Sequence, residues 1–200
     1  MTEIDAKMVM KLRQETGAPM MDCKKALAET GGDWEKAKES LRLKGLQAAE
    51  KRAERSTSEG RVFSYIHAGE KIGVLVQIDC ETDFVARNQD FEQFGKDLCL
   101  HIAFKRPPYM RREEVPQAEV DKERAFLLTQ VQEQMAGKPA DIQEKAVDGR
   151  MSKFYEERCL LEQPFVKDDK KTIETYRKEM VAKIGENLVL QRFACFEVGA

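Results

Sequence analysis

At Ser56-Thr57-Ser58-Glu59-Gly60 the chain changes its hydrophobic period, and that change limits what it can fold into. Before this run apolar residues recur at helical spacing; after it they first alternate as in a strand. Small polar residues closed by a glycine make the run itself a linker. The expected organisation is therefore a three-helix domain with a trailing polar helix over residues 1–55, a linker at 56–60, and a core domain over 61–200.

In the first domain Ile4, Met8 and Leu12 form one apolar stripe. Gly17 suits a left-handed helix stop, and Pro19 suits the opening of a second helix, where a missing amide costs nothing. Cys23, Ala26 and Leu27 face inward. Gly31-Gly32 breaks the chain and Asp33 caps a third helix, with Trp34, Ala37 and Leu41 as its stripe and Gly45 as its end. Leu46 to Arg55 reads as a further, very polar helix. Helices this short need a shared core, of which Trp34 is the largest expected piece.

After the linker, Arg61 to His67 and Lys71 to Cys80 alternate around the turn Ala68-Gly69-Glu70, which predicts a hairpin with Val74, Val76 and Ile78 on one face. Helical spacing follows at Phe91, Phe94, Leu98 and Ile102, ended by Pro107-Pro108. It resumes at Val120, Leu127, Val131 and Met135, then at Val147, Met151 and Phe154, and again at Ile173, Tyr176 and Met180 before Gly185. Leu188 to Phe196 is strand-like. Strands at both ends of a helical middle predict an α+β layer, an antiparallel sheet with helices packed on one face.

Composition narrows the function. Lys and Arg number 34 against 36 Asp and Glu, a formal net charge of -2, where bulk nucleic-acid binding calls for a basic excess. No run of about 18 apolar residues offers a membrane span. The start, Met1 to Met10, is amphipathic with Glu3 and Asp5 and has neither the apolar centre of a signal peptide nor the acid-poor character of a transit peptide. Cys23, Cys80, Cys99, Cys159 and Cys195 are scattered without a Cys-x-x-Cys, the usage of reduced cytosolic thiols.

A self-contained active site is hard to assemble. The chain holds no phosphate-cradling glycine loop, no His-Glu-x-x-His and no Gly-x-Ser-x-Gly. Cys80, Cys99 and His101 are the available metal or Cys-His set, but Cys99 and His101 fall about 200° apart on a helix. The plainer expectation is a surface-edge histidine and two packed thiols. No catalytic residue, cofactor or bound metal is expected of the chain.

Two segments remain. The run Cys80-Glu81-Thr82-Asp83-Phe84-Val85-Ala86-Arg87-Asn88 lies where a strand ends and a helix begins, so Thr82 or Asp83 can cap that helix. An acid beside a large aromatic at such a corner can act on one target, Phe84 entering an apolar slot while Asp83 disturbs polar groups. Upstream, Leu12-Arg13-Gln14-Glu15-Thr16-Gly17-Ala18-Pro19-Met20-Met21-Asp22-Cys23-Lys24-Lys25-Ala26-Leu27 sets two flexible thioethers near Arg13. Methionine adapts to irregular apolar surfaces; at least one of the two is expected to cover the domain's own core.

Both segments resemble signatures of the translation elongation factor Ts family, the second with Pro19 where a glycine is common. Leu161 to Asp169 and Ile184-Gly185-Glu186-Asn187 resemble further family segments, so the likeness covers nearly all 200 residues. It implies a UBA-like three-helix amino-terminal domain and a cytoplasmic guanine-nucleotide exchange factor, not an enzyme. The implied partner is elongation factor Tu in its GDP-bound form, from which Mg²⁺ is displaced so that GDP leaves and GTP rebinds. The resemblance assigns Mg²⁺ dislocation to Thr82, Asp83, Phe84 and Val85, and partner binding to Arg13, Met20 and Met21. Longer members carry a second core subdomain and a coiled-coil insertion, and this chain is too short for both. A homodimer through the sheet domain is the expected replacement, with Cys195 a candidate bridge near it. Neither direct nucleic-acid nor membrane contact is expected. The alternatives are an RNA- or ribosome-binding adaptor without exchange activity, resting on the Lys105 to Arg112 cluster and the basic residues from Lys36 to Arg61, and a cysteine-dependent enzyme.

Overall fold

The computed structural model describes residues 4–199; the parts of the amphipathic start and of the expected domains that fall on residues 1–3 and 200 lie outside the described residues. Contacts divide the chain into two compact units, Met1–Leu100 with Thr175–Ala200, and His101–Glu174.

The first unit opens with three helices, α1 (Ala6–Thr16), α2 (Met20–Glu29) and α3 (Trp34–Arg52). Three of their boundaries have a clear local cause. Asp5 accepts from the Lys7 amide, Gly17 adopts φ 69 and donates to the Arg13 carbonyl, and Asp33 accepts from the Lys36 amide. Val9, Leu12, Cys23, Ala26, Leu27, Ala37 and Leu41 form the shared core. Trp34 packs at its rim, half-buried, because its indole N–H reaches Glu15 Oε2 (3.3 Å) and Lys11 covers the ring. The expected stop at Gly45 does not occur. There α3 passes Ala182, whose Cβ would be 3.0 Å from a side chain at position 45, so this glycine serves close packing and not termination. One helix therefore replaces the expected third helix and its polar successor.

The sheet of this unit is antiparallel, in the order β1-β2-β5, with β1 at Glu59–Ile66, β2 at Ile72–Cys80 and β5 at Val189–Glu197. The strand begins at Glu59, so the polar run read as a linker gives its last two residues to β1. Gly60 pairs with Asp79, and a Cβ there would stand 2.4 Å from the Ile78 carbonyl oxygen. Phe63, Val74, Val76, Ile78 and Leu190 are buried on the inner face. Across them runs the α5 helix (Gln89–Lys105), whose Phe91 ring lies 5.6 Å from that of Phe63. Val62, Ile66, Leu75 and Phe196 point the other way and are exposed. Cys195 stands opposite Val74 and shares its face, not that of Phe196.

The second unit pairs α6 (Gln117–Gln134) with α7 (Ala140–Arg158) around Leu127, Val131, Val147, Met151 and Phe154. A small hairpin follows, β3 (Pro164–Phe165) with β4 (Asp168–Thr172), which the sequence pattern did not reveal. The α8 helix (Ile173–Ile184) leads back to the first unit. His101 is fully buried, which corrects the expectation of a surface-edge histidine: Nε2 is 2.9 Å from Gln163 Oε1, and Nδ1 accepts from the Val166 amide at 3.3 Å. Among the described residues no helix is long and apolar enough to cross a membrane.

Candidate functional site

The corner after β2 is a short helix held from three directions. Thr82 is extended (φ -131, ψ 157), and its hydroxyl oxygen accepts from the Val85 amide at 3.4 Å, capping the single turn α4 (Asp83–Ala86). Val85 and Ala86 are buried and anchor the turn, while Arg61 donates to the Ala86 carbonyl at 3.3 Å. Asn88 then accepts from the Asp90 amide at 2.7 Å as α5 begins. With its neighbours fixed in this way, Phe84 projects outward and is 83% exposed. Asp83 pairs with Arg87 at 3.1 Å and remains half exposed.

A carboxylate distant in sequence completes the corner. Glu186 Oε2 accepts from the Glu81 amide (3.1 Å) and the Thr82 amide (3.0 Å), and its Oε1 accepts from the Thr82 hydroxyl (2.7 Å). Glu81 in turn accepts from the Asn187 amide at 2.7 Å, and the Asn187 side chain donates to the Ala53 and Arg55 carbonyls. Glu186, Glu81 and Asn187 are the residues that sequence reasoning missed. The partners are about a hundred positions apart; the two family-like segments contain them, and the polar pair follows the left-handed Gly185 (φ 90), but nothing in the sequence pairs the two segments.

Arg13, Met20 and Met21 flank one turn, Arg13 in the last turn of α1 and the methionines opening α2. The turn is fixed by Thr16, which donates to the Leu12 carbonyl (2.7 Å) and accepts from the Ala18 amide (3.3 Å). All three residues are exposed. Met20 is 44% and Met21 72% accessible, which corrects the expectation that one of them covers the core. The small residues Ala18, Cys23 and Ala26 already fill or flank that space, so the thioethers have none to occupy.

The thiols offer little nucleophilic chemistry. Burial, then the nearby Glu186 carboxylate, pushes Cys80 up to about 11; burial alone raises Cys99 to about 11. Burial lowers His101 to about 4. Among the described residues no group of three or more His, Cys, Asp or Glu could hold a metal. The basic residues behind the adaptor alternative are extensively paired: Lys36 with Asp33, Arg42 with Glu39, Lys44 with Glu29, Arg61 with Glu92, and Arg112 with Glu162.

A fixed corner that projects a phenylalanine into solvent has no use in the chain's own core, so the comparison with known proteins carries weight here. The model of the family described as Elongation factor TS matches residues 35–180. The chain belongs to the elongation factor Ts family. It is 55% identical over 199 residues to elongation factor Ts of Desulforamulus reducens, covering 100% of this chain and 91% of that protein. To elongation factor Ts of Geobacter sp. (strain M21) it is 55% identical over 196 residues, covering 98% and 90%. To that of Carboxydothermus hydrogenoformans it is 53% identical over 196 residues, covering 98% and 89%. These elongation factor Ts relatives are of similar length, so the shortness of this chain is shared with them. The family-model match contains the Phe84 corner but begins after Arg13, Met20 and Met21, which the full-length alignments include.

Proposed function

We propose that this chain is the guanine-nucleotide exchange factor of elongation factor Tu. It binds the GDP form, displaces Mg²⁺ and promotes GDP release so that GTP can rebind. The observation that carries this reading is Phe84, an 83% exposed aromatic on a capped and anchored turn. Phe84 is the wedge that enters an apolar slot in the partner. Asp83, half exposed beside it, perturbs the polar groups that position the cation. Removing one divalent cation uncovers phosphate charge and weakens the nucleotide. Thr82 and Val85 serve the same act from below, as cap and anchor. Arg13, Met20 and Met21 grip the GTPase domain, so the helical domain of residues 1–55 acts as the binding module and the core presents the wedge. No bond is made or broken: if the factor weakens GDP, GDP weakens the factor by the same ratio. The work is done in the cytoplasm, where translation runs. The pairing of the basic residues supports a protein partner over RNA.

Fully burying a phenylalanine side chain is worth roughly 1.5–3 kcal/mol. Phe84→Ala should therefore slow GDP release from the partner roughly 10–150-fold in stopped-flow fluorescence, with Asp83→Ala slowing it as well. Unchanged acceleration in both variants sinks the assigned roles. Because Phe84 is exposed, the thermal midpoint of Phe84→Ala should stay at the wild-type value.

We propose further that two copies pair through the outer sheet face, where Val62, Ile66, Leu75 and Phe196 are exposed. A Cys195 bridge is no part of this pairing, since that residue shares the face of Val74. Light scattering should give twice the chain mass, and Leu75→Glu should return the monomer; a monomeric wild type at micromolar concentration refutes the pairing.

A further inference from the structure

We infer that Glu186 is a positioning residue for exchange, holding the Phe84 wedge in its working orientation; the inference rests on the exchange reading above. The amides of Glu81 and Thr82 lie just past the end of β2, where no strand partner continues among the described residues. Glu186 Oε2 accepts from both, at 3.1 and 3.0 Å. Its other oxygen takes the hydroxyl hydrogen of Thr82 at 2.7 Å. That hydrogen can point only one way, so a lone pair of the same oxygen is left facing the Val85 amide. A continuous path therefore runs from the carboxylate through Thr82 to Val85, and it brackets Phe84 on both sides in sequence.

The path matters because Phe84 is 83% exposed and little of its side chain is packed. The backbone on either side sets the direction of its Cα–Cβ bond and so the few rotamers open to the ring. An unclamped corner would have to be ordered at the moment of contact, and that entropy would oppose the transition state for release. With the clamp, ordering is complete on folding. Charge-assisted bonds to a carboxylate are the stronger kind, which suits a half-buried site that must not slip. The arrangement also ties the corner to the end of α3: Asn187 donates its backbone amide to Glu81 and its side-chain amide to the Ala53 and Arg55 carbonyls. The segment that follows α8 thus joins the exit of the helical domain to the wedge.

The test is a double-mutant cycle on GDP release from GDP-loaded elongation factor Tu. Glu186→Ala should slow the maximal release rate about tenfold, while the factor concentration giving half-maximal acceleration moves less than about threefold. In the Phe84→Ala background the same change should have no further effect, because Glu186 acts through Phe84. Glu186→Gln keeps an oxygen for the two amides and can donate to Thr82, so it should retain most of the rate. A Phe84→Ala defect with a normal Glu186→Ala rate overturns the positioning role alone. An equal, additive loss in both backgrounds overturns it too, since that marks a general effect on the fold. No defect in either single variant overturns the exchange reading itself. Should Glu186→Ala not fold, Thr82→Val runs the same cycle, cutting the path at the hydroxyl with both amides still held; additivity with Phe84→Ala then refutes the proposal.

Discussion

Lowering the pH should unfold the unit that contains His101 before the carboxylates alone would require it. The ring is fully buried, and its two nitrogens have opposite duties. Nδ1 accepts from the Val166 amide, so Nε2 carries the hydrogen and donates to Gln163 Oε1. The Gln163 amide is itself held by donation to the Glu157 carbonyl at 2.9 Å, which keeps its oxygen toward the ring. A second proton would set an N–H against the Val166 N–H in a fully buried site. Burial, the larger cause, and the Lys105 charge lower the folded pKa to about 4. In the unfolded chain the ring titrates near 6.5. Above about 6.5 both states are neutral and the contribution is complete; as pH falls from about 6.5 to 4 the unfolded state takes the proton first and stability is lost. The gap of about 2.5 units corresponds to ~3 kcal/mol, of which about 2 kcal/mol is lost by about pH 5. Urea unfolding of the wild type and His101→Gln between about pH 7.5 and 5 is the assay. The variant will be less stable at neutral pH, but its stability should fall by less across the window. Parallel pH curves for the two proteins would refute the reasoning, as would a His101 ring resonance that titrates above about pH 6 in the folded state.

Gly95→Ala should destabilise the first unit by roughly 1–3 kcal/mol, since the new methyl would meet three Phe63 ring atoms at 2.4 to 2.5 Å; urea midpoints check this, and a change within error would mean that the helix stands farther from the sheet. Gly45→Ala, with Ala182 Cβ at 3.0 Å, should fail to give the stabilisation of up to about 1 kcal/mol that the same change gives in an exposed helix. Alkylation at neutral pH should be slow at Cys23, Cys80, Cys99 and Cys159, all buried, and faster at the half-buried Cys195; mass spectrometry that finds Cys80 modified first would contradict the raised thiol.

Much of the fold was legible because its signals are local. The stripe Phe91, Phe94, Leu98 and Ile102 predicts a helix, and all four side chains are fully buried on α5. Val74, Val76 and Ile78 alternate and lie inward on β2. The corner at Thr82 was legible too, since a threonine at a strand-to-helix junction is a capping signal whatever surrounds it. The failures share a cause. Gly45 has the character of a helix stop, yet its meaning depends on Ala182, which is 137 residues away in sequence. The two methionines read as half core and half surface, and small neighbours had already filled the core. His101 read as an edge residue because neither Gln163 nor Phe165 is near it in sequence.

The sequence by itself determined most of the helices and the first hairpin, the faces they bury, and that an acid and an aromatic stand together at Asp83 and Phe84. Each of these depends on neighbours within about four residues, where propensity, capping and periodicity act. Tertiary structure alone decided that Phe84 faces solvent, that Glu186 holds the turn beneath it, and that the sheet leaves one apolar face exposed. Those facts depend on which distant groups fill the space around a residue and satisfy its amides, and sequence spacing carries no record of that.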